Sequence, residues 1–337
     1  MLEKNKHFGK GKILAKLKAN KVPHGKEILN PDWPNTIWDI GVLFKHDIEV
    51  FDLLKRFQEI YDCNFPIKSV FGGYSVMWSG GRGFHNVHPT HHYGGWTPEM
   101  LIKEYNHNGI GCTFTFSNPL LKEKHLSDPS SNYLLDILAK QGYNNNAVAI
   151  TCDVLSDYIR DKYPTLKQKA SVVKLTTEMP KKRTFEYYEG LLEKYDMIYL
   201  HPDDNLNLGL LKKISESGNI DKYEPLINER CTINCNIRKD HYAEISRAVI
   251  DGWHGMFNFT NVDFIHNPSH PRSICPRITT PELRSCTLSK PEFKRIYDIG
   301  FRNFKLQGRD AGWQAMLYNF SNWILEPDFI AERFFCE

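Results

Sequence analysis

Residues Asp196–Cys231, DMIYLHPDDNLNLGLLKKISESGNIDKYEPLINERC, contain one complete unit of the pattern that decides the fold. The apolar run at 196–202 predicts a buried strand that ends in an acidic turn. Residues 208–217 have the apolar spacing of an amphipathic helix, and 223–229 predict a second strand, which leads to the cysteine. A strand, a helix and a second strand joined by short loops are typical of parallel α/β packing.

The same alternation extends along most of the chain. Seven strands are predicted, and they begin near residues 67, 110, 147, 169, 196, 223 and 301. Helices are predicted between them, at 47–61, 97–108, 132–142, 154–163, 185–195, 208–217 and 311–325. This order favours a TIM-barrel-like (β/α)8 parallel barrel in which one strand is unrecognised or lost. A doubly wound open sheet is the alternative, although the chain has no Gly-x-Gly-x-x-Gly loop of the dinucleotide-binding kind.

The composition is that of a globular protein. Of the 337 residues, 41% are hydrophobic and 25% are charged, and no apolar run approaches the ~18 residues that a membrane span needs. The basic N-terminus has no apolar segment behind it, so no secretory signal is predicted. Eight cysteines are too sparse for a disulfide scaffold, which leaves reduced thiols or metal ligands and predicts a cytoplasmic protein.

The charge pattern predicts a basic arm at residues 1–30, followed by a single α/β barrel domain at 31–337. Residues 1–26 carry eight lysines against Glu3, whereas the net charge of the whole chain is only +3. Such an arm can bind the phosphates of RNA, and the alternative is a disordered tail that keeps the protein in solution. The barrel domain includes a Cys-, His- and Pro-rich excursion at 251–290, which interrupts the order of strands and helices.

Four cysteines form a candidate metal site. Cys231 and Cys235 are separated by three residues at the end of a predicted strand, so both thiols can face one ion or cluster. Cys275 and Cys286 follow in the excursion and complete a four-thiolate set, which suits a [4Fe–4S] cluster or, alternatively, zinc. The plainer interpretation is that these cysteines are small apolar core residues that bind no metal.

A second group of metal-capable side chains consists of His85, His88, His91 and His92. Neutral imidazoles of this kind bind zinc, nickel or another divalent ion. No carboxylate accompanies them, and the Pro and Gly residues around them favour a loop that is exposed to solvent or covers the substrate.

Residues 300–309, GFRNFKLQGR, carry a resemblance to a known family. They resemble the Phe-Lys-Ile-Glu-Gly-Arg motif of the collagenase-like peptidases, peptidase family U-32, and of their non-proteolytic relatives. The strand at 226–229 that leads into Cys231 and Cys235 looks like the place where that family begins its cysteine cluster. Two features depart from the family pattern, because Gln307 replaces the Glu of the motif and the cysteine spacing is different.

The resemblance implies a TIM-barrel-like core that carries a four-cysteine [4Fe–4S] cluster. Relatives with that cluster support oxygen-independent hydroxylation of tRNA or rRNA bases or of a quinone precursor, and other relatives are peptidases. The resemblance therefore favours an iron–sulfur modifying enzyme that acts on RNA or on a small molecule. One alternative is a peptidase, for which the sequence has no Gly-x-Ser-x-Gly or His-Glu-x-x-His motif. The other is a zinc-stapled barrel without catalysis that binds RNA or a protein.

Four polar residues near predicted strand ends are the candidate catalytic groups. Arg309 and Lys305 would hold an anion, since a guanidinium pairs bidentately with carboxylate or phosphate. Glu229 and His241 would move protons beside the metal centre. A structural salt bridge of Arg309 and a surface position of His241 are the plainer alternatives.

Overall fold

The computed structural model describes residues 25–80, 95–251, 282–308 and 312–326. Several predicted features lie outside the described residues, namely residues 1–24 of the arm, the histidines at 85–92, Cys275 with most of the excursion, and Arg309. The described residues form two compact units. We call them the barrel unit (37–47, 67–80, 95–251 and 282–308) and the helical unit (25–36, 48–66 and 312–326). The boundary between the arm and the following domain stays a prediction.

The barrel unit contains eight strands. They are β1 Ile37–Ile40, β2 Ile67–Gly72, β3 Gly111–Phe116, β4 Ala147–Ile150, β5 Lys167–Ala170, β6 Met197–Leu200, β7 Tyr223–Pro225 and β8 Asn303–Leu306. Seven of them lie where the sequence predicts strands. The eighth, β1, is the strand that the sequence pattern does not reveal.

All neighbouring strands are parallel, in the order β7-β6-β5-β4-β3-β2-β1-β8. The two ends of this sheet meet where Leu226 forms a parallel bridge with Lys305. There the Ile227 N–H donates to the Lys305 carbonyl at 3.2 Å. The sheet is therefore a nearly closed barrel, and the predicted TIM-barrel-like class is confirmed.

Helices alternate with the strands. Those described are α1 Asp47–Tyr61, α2 Pro98–His107, α3 Pro129–Lys140, α4 Asp153–Lys162, α5 Val172–Glu178, α6 Phe185–Leu191, α7 Leu208–Glu216, α8 Arg238–Ile250, α9 Lys290–Ile299 and α10 Trp313–Trp323. Several begin at a side chain that accepts a backbone N–H: Thr97 caps α2 and Asn207 caps α7. None of the described helices has the length and apolar content needed to cross a bilayer.

One predicted strand, 169–175, is only partly correct. The strand β5 ends at Ala170, and the Ser171 hydroxyl then accepts the N–H of Lys174 and begins α5. The run of Val172 and Val173 favours a strand by composition, but the side-chain cap and tertiary packing favour a helix at this position.

The helical unit is held together by aromatic side chains of α1 and α10 and by the segments around them. The Trp33 indole donates to the Trp323 carbonyl at 2.5 Å, and the ring centroids of Phe65 and Phe320 are 5.3 Å apart. Phe57 packs edge-on against Phe65, with centroids 4.9 Å apart. These contacts tie residues from three parts of the chain into one small core.

Candidate active site at the barrel mouth

A pocket of about 420 Å³, part of it open to solvent, lies at the carboxyl ends of the barrel strands. Its lining residues come from or directly follow β2, β3, β4, β5, β6, β7 and β8, and they are Phe71, Thr115, Ser117, Ala149, Ser171, Val172, Val173, Tyr199, Leu226, Lys305 and Gln307. Parallel strands converge at this end, and active sites of such barrels are built there. The pocket is therefore the candidate substrate site of the barrel unit.

Lys305 is the predicted catalytic residue that lines this pocket. Its ammonium is buried, lies 3.2 Å from Asp39 Oδ2, and stands 3.0 Å from the ring centroid of Phe71 and 3.6 Å from that of Tyr199. Burial lowers the pKa of Lys305 to about 7, with the repulsion of Lys169 acting in the same direction and the attraction of Asp39 opposing it. The side chain is thus divided between its charged and neutral forms near pH 7.

Asp39, on the unrecognised strand β1, is the centre of the charge network under the pocket. It accepts hydrogen bonds from the Tyr199 hydroxyl at 2.7 Å, the Ser69 hydroxyl at 2.8 Å and the Lys169 ammonium at 3.3 Å. Burial alone would raise the pKa of Asp39, but the attraction of Lys169 and Lys305 and these hydrogen bonds outweigh it and hold the pKa well below its usual range. The carboxylate stays ionised and fixes both lysines.

A second carboxylate, Glu224 on β7, lies beside the same lysines. Its Oε2 is 3.5 Å from Lys169 Nζ, at ion-pair distance, and its Oε1 is 3.8 Å from Lys68 Nζ. Within the described residues neither oxygen has a partner with hydrogen-bond geometry. Burial raises the pKa of Glu224, and Lys169 only partly compensates. The barrel interior therefore holds two carboxylates and two buried ammoniums instead of a purely apolar core.

Three of the four predicted thiol ligands lie together. The Cys286 N–H donates to the Cys231 carbonyl at 2.8 Å, and an antiparallel bridge joins Thr232 to Ser285. The Cys231 and Cys235 thiols are hydrogen-bonded to each other. All three cysteines are free thiols. Cys286 thus meets Cys231 through a short pairing of two chain segments that are far apart in sequence.

The centre of this thiol cluster (Cys231, Cys235 and Cys286) is the guanidinium of Arg238, the first residue of α8. Its Nε lies 3.4 Å from the Cys231 sulfur, and one terminal nitrogen lies 3.3 Å from the Cys286 sulfur. The guanidinium also donates to both carboxylate oxygens of Asp203, at 2.9 and 3.0 Å, and to the Thr232 carbonyl at 2.7 Å. Arg238 is only 2% exposed, so this is a buried ion pair that also contacts two sulfurs.

The surroundings favour the protonated form of the Cys235 and Cys286 thiols when no metal is bound. Burial raises the pKa of Cys286 to about 12, because the attraction of Arg238 is opposed by Asp203, whose carboxylate accepts the Cys286 S–H at 3.1 Å. The hydrogen bond with Cys231, in which the Cys235 S–H is the donor, and burial together raise the pKa of Cys235. A metal would have to displace these protons to bind the sulfurs.

The thiol cluster contains the kind of donor that a thiolate-bound metal needs. Cysteine sulfurs are soft donors, which suit zinc or an iron–sulfur cluster. In the part of the chain that the structure describes, no three Cys, His, Asp or Glu side chains stand in a metal-coordinating arrangement. Cys275, the predicted fourth ligand, lies outside the described residues.

Asn228 connects the pocket to the thiol cluster. Its side-chain amide donates to the Gln307 carbonyl at 2.8 Å and accepts the Gln307 N–H at 2.7 Å. Gln307 and Leu226 line the pocket, and Asn228 precedes Cys231 by three residues. The thiol cluster is therefore attached to the rim of the pocket through the ends of β7 and β8.

The remaining candidate catalytic residues have different positions. Glu229 is buried, and its carboxylate accepts the Cys231 N–H at 2.9 Å, which fixes the turn that presents the thiol. His241 lies on α8, as predicted, with its ring stacked against Tyr242 at 6.4 Å, and it does not belong to the pocket lining. The proton-transfer roles of Glu229 and His241 and the anion-binding role of Arg309 stay predictions.

His201 and Thr176 form a buried pair that sequence reasoning misses. His201 Nε2 is 3.0 Å from Thr176 Oγ1, and Nδ1 accepts the Asp203 N–H at 3.2 Å. The Thr176 hydroxyl donates to the Val172 carbonyl at 2.9 Å, and a terminal nitrogen of Arg238, which can only donate, lies 3.0 Å from His201 Nε2. This pair therefore positions the loop that carries Asp203 and is not built as an activated nucleophile.

Three functional residues of the barrel mouth, Arg238, Asp39 and Lys169, are absent from the sequence predictions. Arg238 follows Cys235 by three residues, and this proximity to a thiol is the one signal that could have found it. Asp39 and Lys169 lie inside strands. From sequence alone, a charged side chain in a strand is predicted to be exposed to solvent, because the partners inside the closed barrel are not visible in the sequence. Only the three-dimensional convergence of β1, β5 and β8 reveals their role.

Comparisons with known proteins support the fold. No protein-family model matches the chain, and no curated protein matches it. A solved structure of a U32 peptidase is 14% identical, with a TM-score of 0.50, and the match covers 82% of this chain and 93% of that one. An α-amylase from Lactobacillus plantarum is 12% identical over 57% of this chain and 62% of that one, with a TM-score of only 0.30. The chain thus shares the barrel architecture of a U32 peptidase structure.

Proposed function

We propose that this protein is an iron–sulfur enzyme of the U32-like kind that modifies its substrate without oxygen. Cys231, Cys235 and Cys286, with Cys275 as the fourth ligand, would hold a [4Fe–4S] cluster at the rim of the barrel pocket. The single observation that carries the proposal is the contact of the Cys231 and Cys286 sulfurs with the same guanidinium of Arg238, with the Cys235 thiol hydrogen-bonded to that of Cys231.

The convergence of the thiols needs an explanation. Cys231 and Cys286 come from segments separated by a long excursion, and both sulfurs contact the same buried guanidinium. When bound, an iron–sulfur cluster supplies electron transfer or Lewis-acid chemistry at a substrate oxygen. Hydrogen bonds to cluster sulfurs raise the reduction potential, so Arg238 would make the bound group easier to reduce.

The substrate would bind in the pocket, and its class is a small molecule or an RNA base. The walls are largely apolar, and hydroxyls of Thr115, Ser117 and Ser171 supply a few fixed polar contacts. This composition is usual for small-molecule sites. If RNA is the substrate, the lysines of residues 1–26 would contribute phosphate contacts.

Two alternative functions make different demands on the site. A zinc-stapled barrel without catalysis would use the same four thiolates, and metal analysis distinguishes it from the proposal. A peptidase would need an activated nucleophile or a hydrolytic metal. The Thr176 hydroxyl already donates to the Val172 carbonyl and His201 Nε2 already faces the guanidinium of Arg238, so the two side chains are not arranged as a nucleophile and its base, which favours the iron–sulfur proposal over a threonine peptidase at this position.

The experiment is anaerobic purification of the full chain, followed by visible absorption and by analysis of iron, sulfide and zinc. We expect a brown protein with about four irons and four sulfides per chain. Cys231→Ser and Cys286→Ser should each remove the colour and most of the iron. Cys63→Ser is the matched control, since Cys63 is a buried thiol of the helical unit that contacts the Asn64 carbonyl at 3.6 Å.

Each outcome has a defined meaning. Stoichiometric zinc without iron would replace the proposal with the zinc-stapled barrel. Absence of both metals from anaerobically purified protein, with unchanged metal content in the cysteine variants, would leave Cys231, Cys235 and Cys286 as structural thiols and would refute the proposal.

A further inference from the structure

Lys305 stands apart from the other residues that line the pocket. Among the described residues of the lining it is the only charged one, and its Nζ lies between the rings of Phe71 and Tyr199. The Lys305 side chain is almost completely shielded from solvent, and its counter-ion Asp39 is shared with Lys169. A lysine in such a setting loses its proton readily and becomes a nucleophile.

The groups that face Lys305 come from four other strands. Asp39 on β1 attracts its charge, Lys169 on β5 repels it, Glu224 on β7 attracts it from a greater distance, and the Tyr199 hydroxyl on β6 binds Asp39. The pKa of about 7 for Lys305 is the net result, with burial as the largest cause. Lys169, which has both carboxylates as partners, has a raised pKa and keeps its proton, although burial alone would lower that pKa.

We propose that Lys305 is a nucleophilic amine that forms an imine with a small hydroxylated aldehyde or ketone bound in the barrel-mouth pocket. The Nζ lone pair attacks the carbonyl carbon, and one amine proton moves to the carbonyl oxygen to give a carbinolamine. The C–O bond then breaks, the hydroxyl leaves as water with the second amine proton, and a C=N bond replaces the C=O bond. The step needs no oxidant or reductant and does not depend on the proposed metal centre.

The pocket walls indicate the class of the ligand. Ser117 donates its hydroxyl proton to the Gly80 carbonyl at 2.6 Å, and Thr115 donates to the Gly72 carbonyl at 3.0 Å. The Ser117 oxygen can accept a hydrogen bond from a ligand hydroxyl while it donates to Gly80. A strongly anionic ligand fits less well, because the one ammonium in the lining already shares Asp39 and the other walls, such as Ala149 and Leu226, are apolar.

The test is reductive trapping with glyceraldehyde. The full-length protein is incubated at pH 7 with glyceraldehyde and sodium cyanoborohydride, and labelled lysines are quantified by peptide mass spectrometry over time. We expect Lys305 to be labelled at least about tenfold faster than Lys55, whose side chain is 70% exposed, because an ordinary lysine with a pKa near 10.4 has almost no neutral amine at pH 7. Labelling of Lys305 should also saturate with glyceraldehyde concentration, which indicates a binding site.

Two variants separate the amine from the pocket. Lys305→Arg removes the amine and should abolish the fast label. Ala149→Val narrows the pocket without touching the lysine, and should slow labelling of Lys305 while leaving that of Lys55 unchanged. The comparison of Lys305 with Lys55 in the wild-type protein requires no variant, so it stands if a variant does not fold.

The proposal is overturned if Lys305 reacts no faster than Lys55, or if labelling of Lys305 rises linearly with glyceraldehyde and ignores Ala149→Val. Metal content enters neither measurement, and protein freed of metal should give the same labelling. If the metal analysis refutes the iron–sulfur proposal, the labelling result for Lys305 is unaffected. If the labelling refutes the imine proposal, the metal analysis is likewise unaffected.

Discussion

Replacing Arg238 with Met tests whether the buried ion pair orders the thiol cluster. Met has a similar length and no charge, so the change removes the guanidinium while filling much of its space. The Arg238 side chain is 2% exposed and that of Asp203 is 7% exposed. Without the guanidinium, the Asp203 carboxylate stays buried, with the Cys286 S–H as a donor at 3.1 Å and with His201 Nδ1 3.6 Å from its Oδ2.

The magnitude follows from this burial. Removal of one partner from a buried pair costs about 3–5 kcal/mol, because the remaining charge has no compensation. The Thr232 carbonyl also loses its donor at 2.7 Å. We therefore expect Arg238→Met to lower the free energy of unfolding by about 3–5 kcal/mol.

The measurement is urea-induced unfolding of reduced, metal-free protein at pH 7, followed by circular dichroism. Arg284→Met is the matched control. Arg284 also pairs with a carboxylate, since one of its terminal nitrogens lies 2.7 Å from each oxygen of Glu292, but its side chain is 47% exposed. An exposed pair contributes little, so the control should lose less than about 1 kcal/mol.

A double variant decides the cause of the loss. Asp203→Asn removes the uncompensated charge, so Arg238→Met combined with Asp203→Asn should lose clearly less than the two single changes added together. If Arg238→Met costs no more than Arg284→Met, or if the two changes at 238 and 203 are additive, the buried pair does not stabilise this site and the reasoning is refuted.

Three further predictions concern the barrel and the arm. Between pH 7 and about 10 the unfolded chain binds a proton at Lys305 that the folded protein does not, so folding stability should rise with pH there, by at most about 1.4 kcal/mol per pH unit. Urea unfolding at pH 7, 8 and 9 measures this rise. Lys305→Met should remove it, and an equal slope in both proteins would contradict the prediction. Asn228→Ala takes two hydrogen bonds from the Gln307 backbone and should cost about 1–3 kcal/mol in the same assay, whereas Asn108→Ala, on an exposed side chain, should cost less than about 0.5 kcal/mol. Deletion of residues 1–26 should weaken RNA binding and reduce its dependence on salt, as measured at two salt concentrations, and unchanged binding would exclude the arm from the interface.

The barrel class could be predicted from sequence because its strands and helices are local patterns. The strands β4 and β6 are continuous apolar runs, which a parallel sheet buried on both faces requires, as the complete burial of Ala147–Ile150 illustrates. The exception is β1, whose four residues include Asp39. An ionised side chain in a short run suggests a loop, and only the closed barrel supplies the lysines that neutralise it.

The candidate site could be predicted only in part, because its chemistry depends on long-range pairing. The cysteines and Lys305 could be identified from sequence, because their residue types stand near the ends of predicted strands. The contact of Cys286 with Cys231 depends on a short antiparallel pairing of Thr232 with Ser285, which no local pattern indicates. The same holds for Arg238. In the sequence it is an ordinary basic residue in the first turn of a helix, and only the structure shows that it pairs with Asp203.

The pocket and the thiol cluster meet at the junction of β7 and β8, and the geometry of this junction explains why. The two strands are joined by one bridge between Leu226 and Lys305 and by the side chain of Asn228, which extends the pairing to Gln307. Lys305 projects from one edge of the junction into the pocket, and the other edge leads within a few residues to Cys231. The backbone of the closed barrel and the side chain of Asn228 therefore connect the strand that carries the amine to the segment that carries the thiols.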